Sequence, residues 1–184
     1  MDKKVFTSRL WFLLTVIFAG AAMRLVPHWP NFTPIAGIAL FGGAYLNRKY
    51  LAFLVPLVAM LLSDVVLGFH NTMPAVYLSF VAMVGIGLLI ARKPTFLNIA
   101  GASLSASILF FVVTNLASWM GSPYYPQTFN GLMAAYAAGL AFFNNGSQGL
   151  SFFANSVLGD LFYTGLFFGA FYFARLRFPV LARC

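Results

Sequence analysis

The sequence predicts an all-α integral membrane protein, a single domain over residues 1–184 built around six transmembrane helices. Three observations predict it. The chain is 61% hydrophobic and only 8% charged, with a mean hydropathy of +0.88, far from the balance of a soluble domain. Its apolar residues fall into long stretches separated by short polar junctions. Ten of its eleven basic residues sit at alternate junctions or at the termini, and the eleventh, Arg24, lies inside an apolar stretch.

The predicted spans run over about 10–26, 33–46, 50–69, 74–91, 96–119 and 151–174. A span needs roughly 20 residues at a rise of 1.5 Å. The third to sixth qualify and the first nearly does. The second, at about 14 residues, needs tilting, local thinning or burial among its neighbours. Lys3, Lys4 and Arg9 precede the first span, and Arg48 and Lys49 join the second to the third. Arg92 and Lys93 join the fourth to the fifth, and Arg175, Arg177 and Arg183 follow the sixth. All four groups fall on one side, so the positive-inside rule predicts cytoplasmic termini. Omitting the second span would place Arg48 and Lys49 outside, which supports counting it. An alternative for the first span is a signal peptide cut near Ala19-Gly20-Ala21, but Arg24 would then be stranded just past the cut.

The external segment 120–150 carries no Asp, Glu, Lys or Arg. Gly121, Pro123 and Pro126 break the preceding helix, residues 129–143 form an apolar helix too short to span, and Asn144 to Ser147 reads as a turn. The segment is re-entrant or interfacial. Its aromatic residues, Tyr124, Tyr125, Phe129, Tyr136, Phe142 and Phe143, suit either a headgroup-level belt or a lid over an external pocket. Small residues four apart, Ala39/Gly43, Gly165/Gly169 and Gly101 with Ala102, Ser105 and Ala106, predict close helix contacts.

Arg24, Asp64 and Asp160 are ionisable residues within spans, where each needs an interior partner. With the orientation fixed, they lie about 4, 8 and 13 Å from the external ends of their helices. One cation and two anions thus share the outer half. Either Arg24 pairs with one aspartate as a structural salt bridge, or the three line a ligand pocket in which Arg24 holds an anionic group and an aspartate receives an amine, amide or cation. Asn115, Trp119, Asn155 and Ser63 lie at similar depth, and Tyr124 and Tyr125 stand in the external loop above. His28 and His70 flank external helix ends and read as solvent-facing or capping residues; convergence with Asp64 on a metal is the alternative.

Enzyme classes fare poorly against the sequence, and no enzyme is expected. There is no H-E-x-x-H, phosphate-binding glycine loop or G-x-S-x-G, and glutamate is absent. The single cysteine, Cys184, is terminal, so no disulfide within the chain is possible and the usual zinc or iron–sulfur spacings are absent. No cofactor is expected. The charge of +8 is spread over helix ends, which suits anionic lipid and not a nucleic-acid surface.

The segments Arg24 to Pro34 (RLVPHWPNFTP), Ala39 to Tyr45 (ALFGGAY), Leu62 to His70 (LSDVVLGFH) and Asn155 to Phe162 (NSVLGDLF) carry a likeness. Over nearly its whole length the chain resembles a family of uncharacterised bacterial inner-membrane proteins classed as transporters. That family is similar in turn to the S components, the substrate-binding subunits of energy-coupling-factor (ECF) vitamin transporters. The resemblance implies an S-component-like bundle that binds a vitamin-like molecule near its external face, with Arg24, His28, Asp64, His70, Asn115, Trp119, Tyr124, Tyr125, Asn155 and Asp160 as candidate ligand-binding residues. It also implies an ATPase module with a coupling membrane subunit as partner. The stretch Leu10 to Ile17 (LWFLLTVI) departs from the A-x-x-x-A patch that S components present to the coupling subunit, and a cysteine-ligated cobalamin mode does not suit a cytoplasmic Cys184. Two other classes stay open: an accessory subunit of a larger membrane complex, and an ion-coupled carrier using Asp64 or Asp160.

Overall fold

A computed structural model describes residues 8–141 and 151–182. Lys3, Lys4, Phe142, Phe143, the expected turn at Asn144 to Ser147, Arg183 and Cys184 lie outside the described residues. Within them the chain forms seven α-helices and one 3-10 turn: α1 (Ser8–Met23), α2 (Ile35–Tyr45), α3 (Lys49–Leu67), α4 (Met73–Ile90), α5 (Phe96–Met120), α6 (Phe129–Ala141), α7 (Phe152–Arg177) and η1 (Pro179–Ala182). Local chemistry sets most ends. Thr95 and Ser151 cap α5 and α7, their hydroxyls accepting from the amides of Asn98 and Ala154, which satisfies backbone donors that a helix start leaves free. Gly68 ends α3 at φ 92°, a left-handed conformation that glycine takes without steric cost.

The first helix stops at Met23, three residues earlier than expected. The amides of Arg24, Leu25 and Val26 bond to carbonyls three residues back, a tightening turn that precedes Pro27, whose ring pushes the residue before it away from helical geometry. Arg24 therefore stands just beyond α1.

The outside of the bundle is apolar and the inside carries polar groups. Val66, Leu89 and Phe96 are 70%, 80% and 84% exposed, while Ser63, Asp64, Ser79, Ser103, Ser107, Asn155, Asp160 and Thr164 are buried. So apolar an exterior suits a hydrocarbon solvent, in which polar groups turn inward. Four helices, α3, α4, α5 and α7, are long and apolar enough to cross a membrane. This is a membrane protein. The others are shorter: 16 residues in α1, 11 in α2 and 13 in α6.

The shortest of the predicted spans is the centre of the fold. Helix α2, about 16 Å long at 1.5 Å per residue, packs against α1, α3, α4, α5 and α7, and every residue from Ala36 to Tyr45 is buried. Phe41 sits among Tyr45, Phe168 and Phe171, with ring centroids 5.2, 5.5 and 6.0 Å away, in edge-to-face contacts that favour a single packing.

Close helix approach occurs at glycine, though not at every glycine pair expected. A Cβ on Gly43 would run into the Val84 carbonyl and the Gly87 Cα, so α2 and α4 touch backbone to backbone. At Gly101, Gly165 and Gly169 a Cβ meets nothing within 4 Å. The expectation of a packed contact there is corrected: these faces of α5 and α7 are open. Gly43→Ala is accordingly expected to cost about 1–3 kcal/mol through overpacking. Gly165→Ala is expected to stabilise by about 0.5–1 kcal/mol through helix propensity. Thermal melts followed by circular dichroism in detergent separate the two.

The described ends of the helices sort into two faces. Arg9, Lys49, Ala91, Pro94, Arg175 and Leu181 gather at one, here called the basic end. Asn31, Trp119, Ser122, Tyr125 and Phe152 gather at the other.

Candidate functional site: a polar and aromatic cavity walled by α5, α6 and α7

The in-membrane charges divide into two separate groups. Arg24 pairs with Asp64, Nη2 to Oδ1 at 2.7 Å. Its Nη1 donates to the Ser63 hydroxyl and to the Met60 carbonyl, and Tyr77 on α4 donates its hydroxyl to Asp64 Oδ2 at 2.8 Å. Both oxygens of Asp64 are thus engaged, and the pair is largely sealed, at 10% and 6% side-chain exposure. This network ties α1, α3 and α4 together near the end opposite the basic one. Asp160 stands apart on α7. It is 4% exposed and accepts from Ser107 of α5 at 2.6 Å; among the described residues it has no cationic partner.

A cavity of about 350 Å³ opens between α5 and α7 at the end opposite the basic one, with α6 as its third wall and the α1–α2 loop at its floor. Thr114, Asn115, Ser118 and Ser122 contribute polar atoms, and Phe111, Trp119, Tyr125 and Phe153 contribute rings. Helix α6 is held over it by packing and by one bond, from the Tyr136 hydroxyl to the Val112 carbonyl at 2.9 Å. The turn before α6 is fastened to the end of α5: Trp119 Nε1 donates to the Pro126 carbonyl at 3.1 Å, and Gln127 donates back to the Trp119 carbonyl at 3.0 Å. Gly139 lets α6 come close, since a Cβ there would collide with the Asn115 Oδ1. Asn115 spends an N–H on the Phe111 carbonyl.

Below the cavity lies an annex of about 50 Å³ that shares Asn31, Phe110 and Ser156 with it and reaches Asp160. Asn31 has φ 62°, a left-handed backbone that asparagine tolerates better than most residues. The loop after it is pressed onto α7, where a Cβ on Gly159 would fall 2.9 Å from the Phe32 Cα. A bulky residue at 159 would therefore displace the loop that forms the cavity floor.

Of the candidates chosen from sequence, the structure brings Asn115, Trp119 and Tyr125 to the cavity and Asp160 to its annex. Arg24 and Asp64 are engaged with each other. Asn155 is buried on α7 but does not line the cavity, and Tyr124 is 87% exposed. The Nδ1 of His28 donates to the Val26 carbonyl and that of His70 hydrogen-bonds to Thr72, so both act within their own loops. The alternative in which they converge with Asp64 on a metal is not assembled: no cluster of three such ligands exists among the described residues.

Asn31, Ser107, Thr114, Ser118, Ser122 and Ser156 were not singled out from sequence. A signal for most of them exists. Ser103, Ser107, Thr114 and Ser118 recur at helical spacing along α5, with Ser122 one turn further on just past its end, a polar stripe that cannot face lipid without cost. Asn31 has no such signal, because its place depends on how the loop meets α7.

A family profile matches residues 4–181 of the chain. The protein belongs to DUF6580, a family of unknown function. Neither a curated protein nor a solved structure matches it. In this DUF6580 chain the matched region takes in every described helix, so the cavity, the Arg24–Asp64 pair and Asp160 all lie in the part that defines the family.

Proposed function

We propose that this protein is a membrane-embedded binding protein for a small, vitamin-like molecule, S-component-like in architecture and serving uptake. The observation that carries the reading is the cavity of about 350 Å³, within the size range of small-ligand sites, and its mixture of rings with a few placed polar groups. A flat heterocycle would stack among Phe111, Trp119, Tyr125 and Phe153. Asn115, Thr114 and Ser118 would read its polar edge, and Asp160 would accept from an amine or amide reaching into the annex.

In this reading six helices, α1 to α5 and α7, cross the bacterial inner membrane with the basic end and both termini cytoplasmic, as the charge distribution supports. The cavity then faces outward, and α6 serves as a lid. An ATPase with a coupling subunit, or another membrane protein, would supply the driving partner. The closed Arg24–Asp64 pair favours a second reading, an accessory subunit in which buried charges serve stability alone. A carrier coupled to ions would have to rely on Asp160, since Asp64 is already occupied on both oxygens.

Native mass spectrometry of the full chain released from membranes decides between them. A co-purified small molecule is expected on the wild type and on Arg24→Ala, and it is expected to be lost from Gly139→Leu, whose side chain would collide with Asn115 in the cavity wall. Equal retention by Gly139→Leu and Asn115→Leu, or a wild type with no adduct in any membrane source supplied with vitamins, would overturn the assignment.

A further inference from the structure

At the basic end the bundle holds a second feature. Helices α5 and α7 run antiparallel and touch at Phe111–Phe153, with ring centroids 4.9 Å apart, and at Ser107–Asp160. Nearer the basic end a groove of about 670 Å³ lies between them, from Leu161 to Arg175 on α7 and from Phe96 to Ser103 on α5. The open faces of Gly165 and Gly169 form its bed. Its mouth, at Tyr45, Pro94 and Arg175, is shared with a cavity of about 500 Å³ that Arg9 and Lys49 also line.

Among the described residues neither Lys49 nor Arg175 is ion-paired and no carboxylate lines either space. Arg175 lies over the Tyr172 ring at 5.0 Å, an arrangement that leaves guanidinium edges able to donate; Arg9 lies over Phe171 at 5.6 Å and donates to the Tyr45 carbonyl. The two aspartates of the bundle interior are both committed elsewhere.

We propose that this groove and its basic mouth bind one anionic phospholipid of the adjacent leaflet, the phosphate held by Arg175 and Lys49 and an acyl chain lying along Gly165 and Gly169. Two physical arguments choose this occupant. The mouth is cationic and the groove beyond it apolar, the charge and polarity order of an acidic lipid. The groove also extends only from Arg175 to Leu161, about 21 Å at 1.5 Å per residue, against a leaflet of about 15 Å of hydrocarbon. An acyl chain is confined to that depth, whereas a partner helix would have to continue through the other leaflet, where Phe111 and Phe153 close the seam.

Delipidated full-length protein in detergent, titrated with phosphatidylglycerol, phosphatidylcholine or inorganic phosphate and read by native mass spectrometry, tests this. One phosphatidylglycerol is expected to bind in clear preference to phosphatidylcholine. Affinity is expected to fall about fivefold for each of Lys49→Gln and Arg175→Gln. Gly165→Leu/Gly169→Leu, whose Cβ atoms meet nothing within 4 Å and whose longer side chains extend into the groove, is expected to remove lipid binding while helicity by circular dichroism stays unchanged. Equal affinity for the two lipids, competition by inorganic phosphate as strong as by lipid, or retention of the lipid by the filled variant would overturn it. So would a wild-type dimer that the filled variant converts to monomer, because the groove would then be an interface between copies.

Discussion

Arg24→Ala and Asp64→Ala are each expected to destabilise the protein by about 3–5 kcal/mol, because either one leaves a buried charge without its partner. The geometry makes the effect large. The pair is 2.7 Å apart at 10% and 6% exposure, and its remaining bonds, from Tyr77 to Asp64 and from Arg24 to Ser63, orient both ends but replace neither charge. The paired variant Arg24→Met/Asp64→Leu is expected to recover most of the loss, since apolar residues of similar volume often match a buried ion pair. Unfolding followed by circular dichroism in detergent, arranged as a double-mutant cycle, measures the coupling. Additive losses in the double variant would show that the two side chains stabilise independently. Because the pair does not line the cavity, whatever fraction of Arg24→Ala folds should still carry the ligand.

Asp160→Asn is expected to have the opposite signature: equal or greater thermal stability, by about 1 kcal/mol, together with at least a tenfold loss of ligand retention. A carboxylate buried in a membrane bundle with a serine as its hydrogen-bond partner is costly, and asparagine would keep a hydrogen bond to Ser107 without that cost. A position where a cheaper residue would fit the fold points to a role outside stability. The pairing of effects is the test, read by melting temperature and by native mass spectrometry on the same preparation. Loss of stability with unchanged retention would place Asp160 among the structural polar groups and leave the cavity without its deepest acceptor.

The helices and their caps were largely legible in the chain. Thr95 and Ser151 stand where α5 and α7 begin, and Gly68 where α3 ends, because capping depends on a few adjacent residues. Helix α1 was misjudged at its end, where backbone bonds to Ala21, Ala22 and Met23 override the apolar run through Val26. The glycine pairs show a deeper limit. Gly43 and Gly165 look alike in sequence, yet one meets the backbone of α4 and the other an open groove.

The difference has one physical origin. Hydropathy, capping and the placement of Lys and Arg act over a few residues, and those properties of this chain prescribe an all-helical membrane protein with a basic end and an aromatic loop. The choice of Asp64 over Asp160 for Arg24, the central burial of the short α2, the arrival of Asn31 beneath the cavity and the open face of Gly165 all depend on the rotation of each helix about its axis and on which helix lies beside it. Those are set by contacts between residues far apart in the chain, such as Arg24 with Asp64 and Ser107 with Asp160, and they exist only once the bundle has packed.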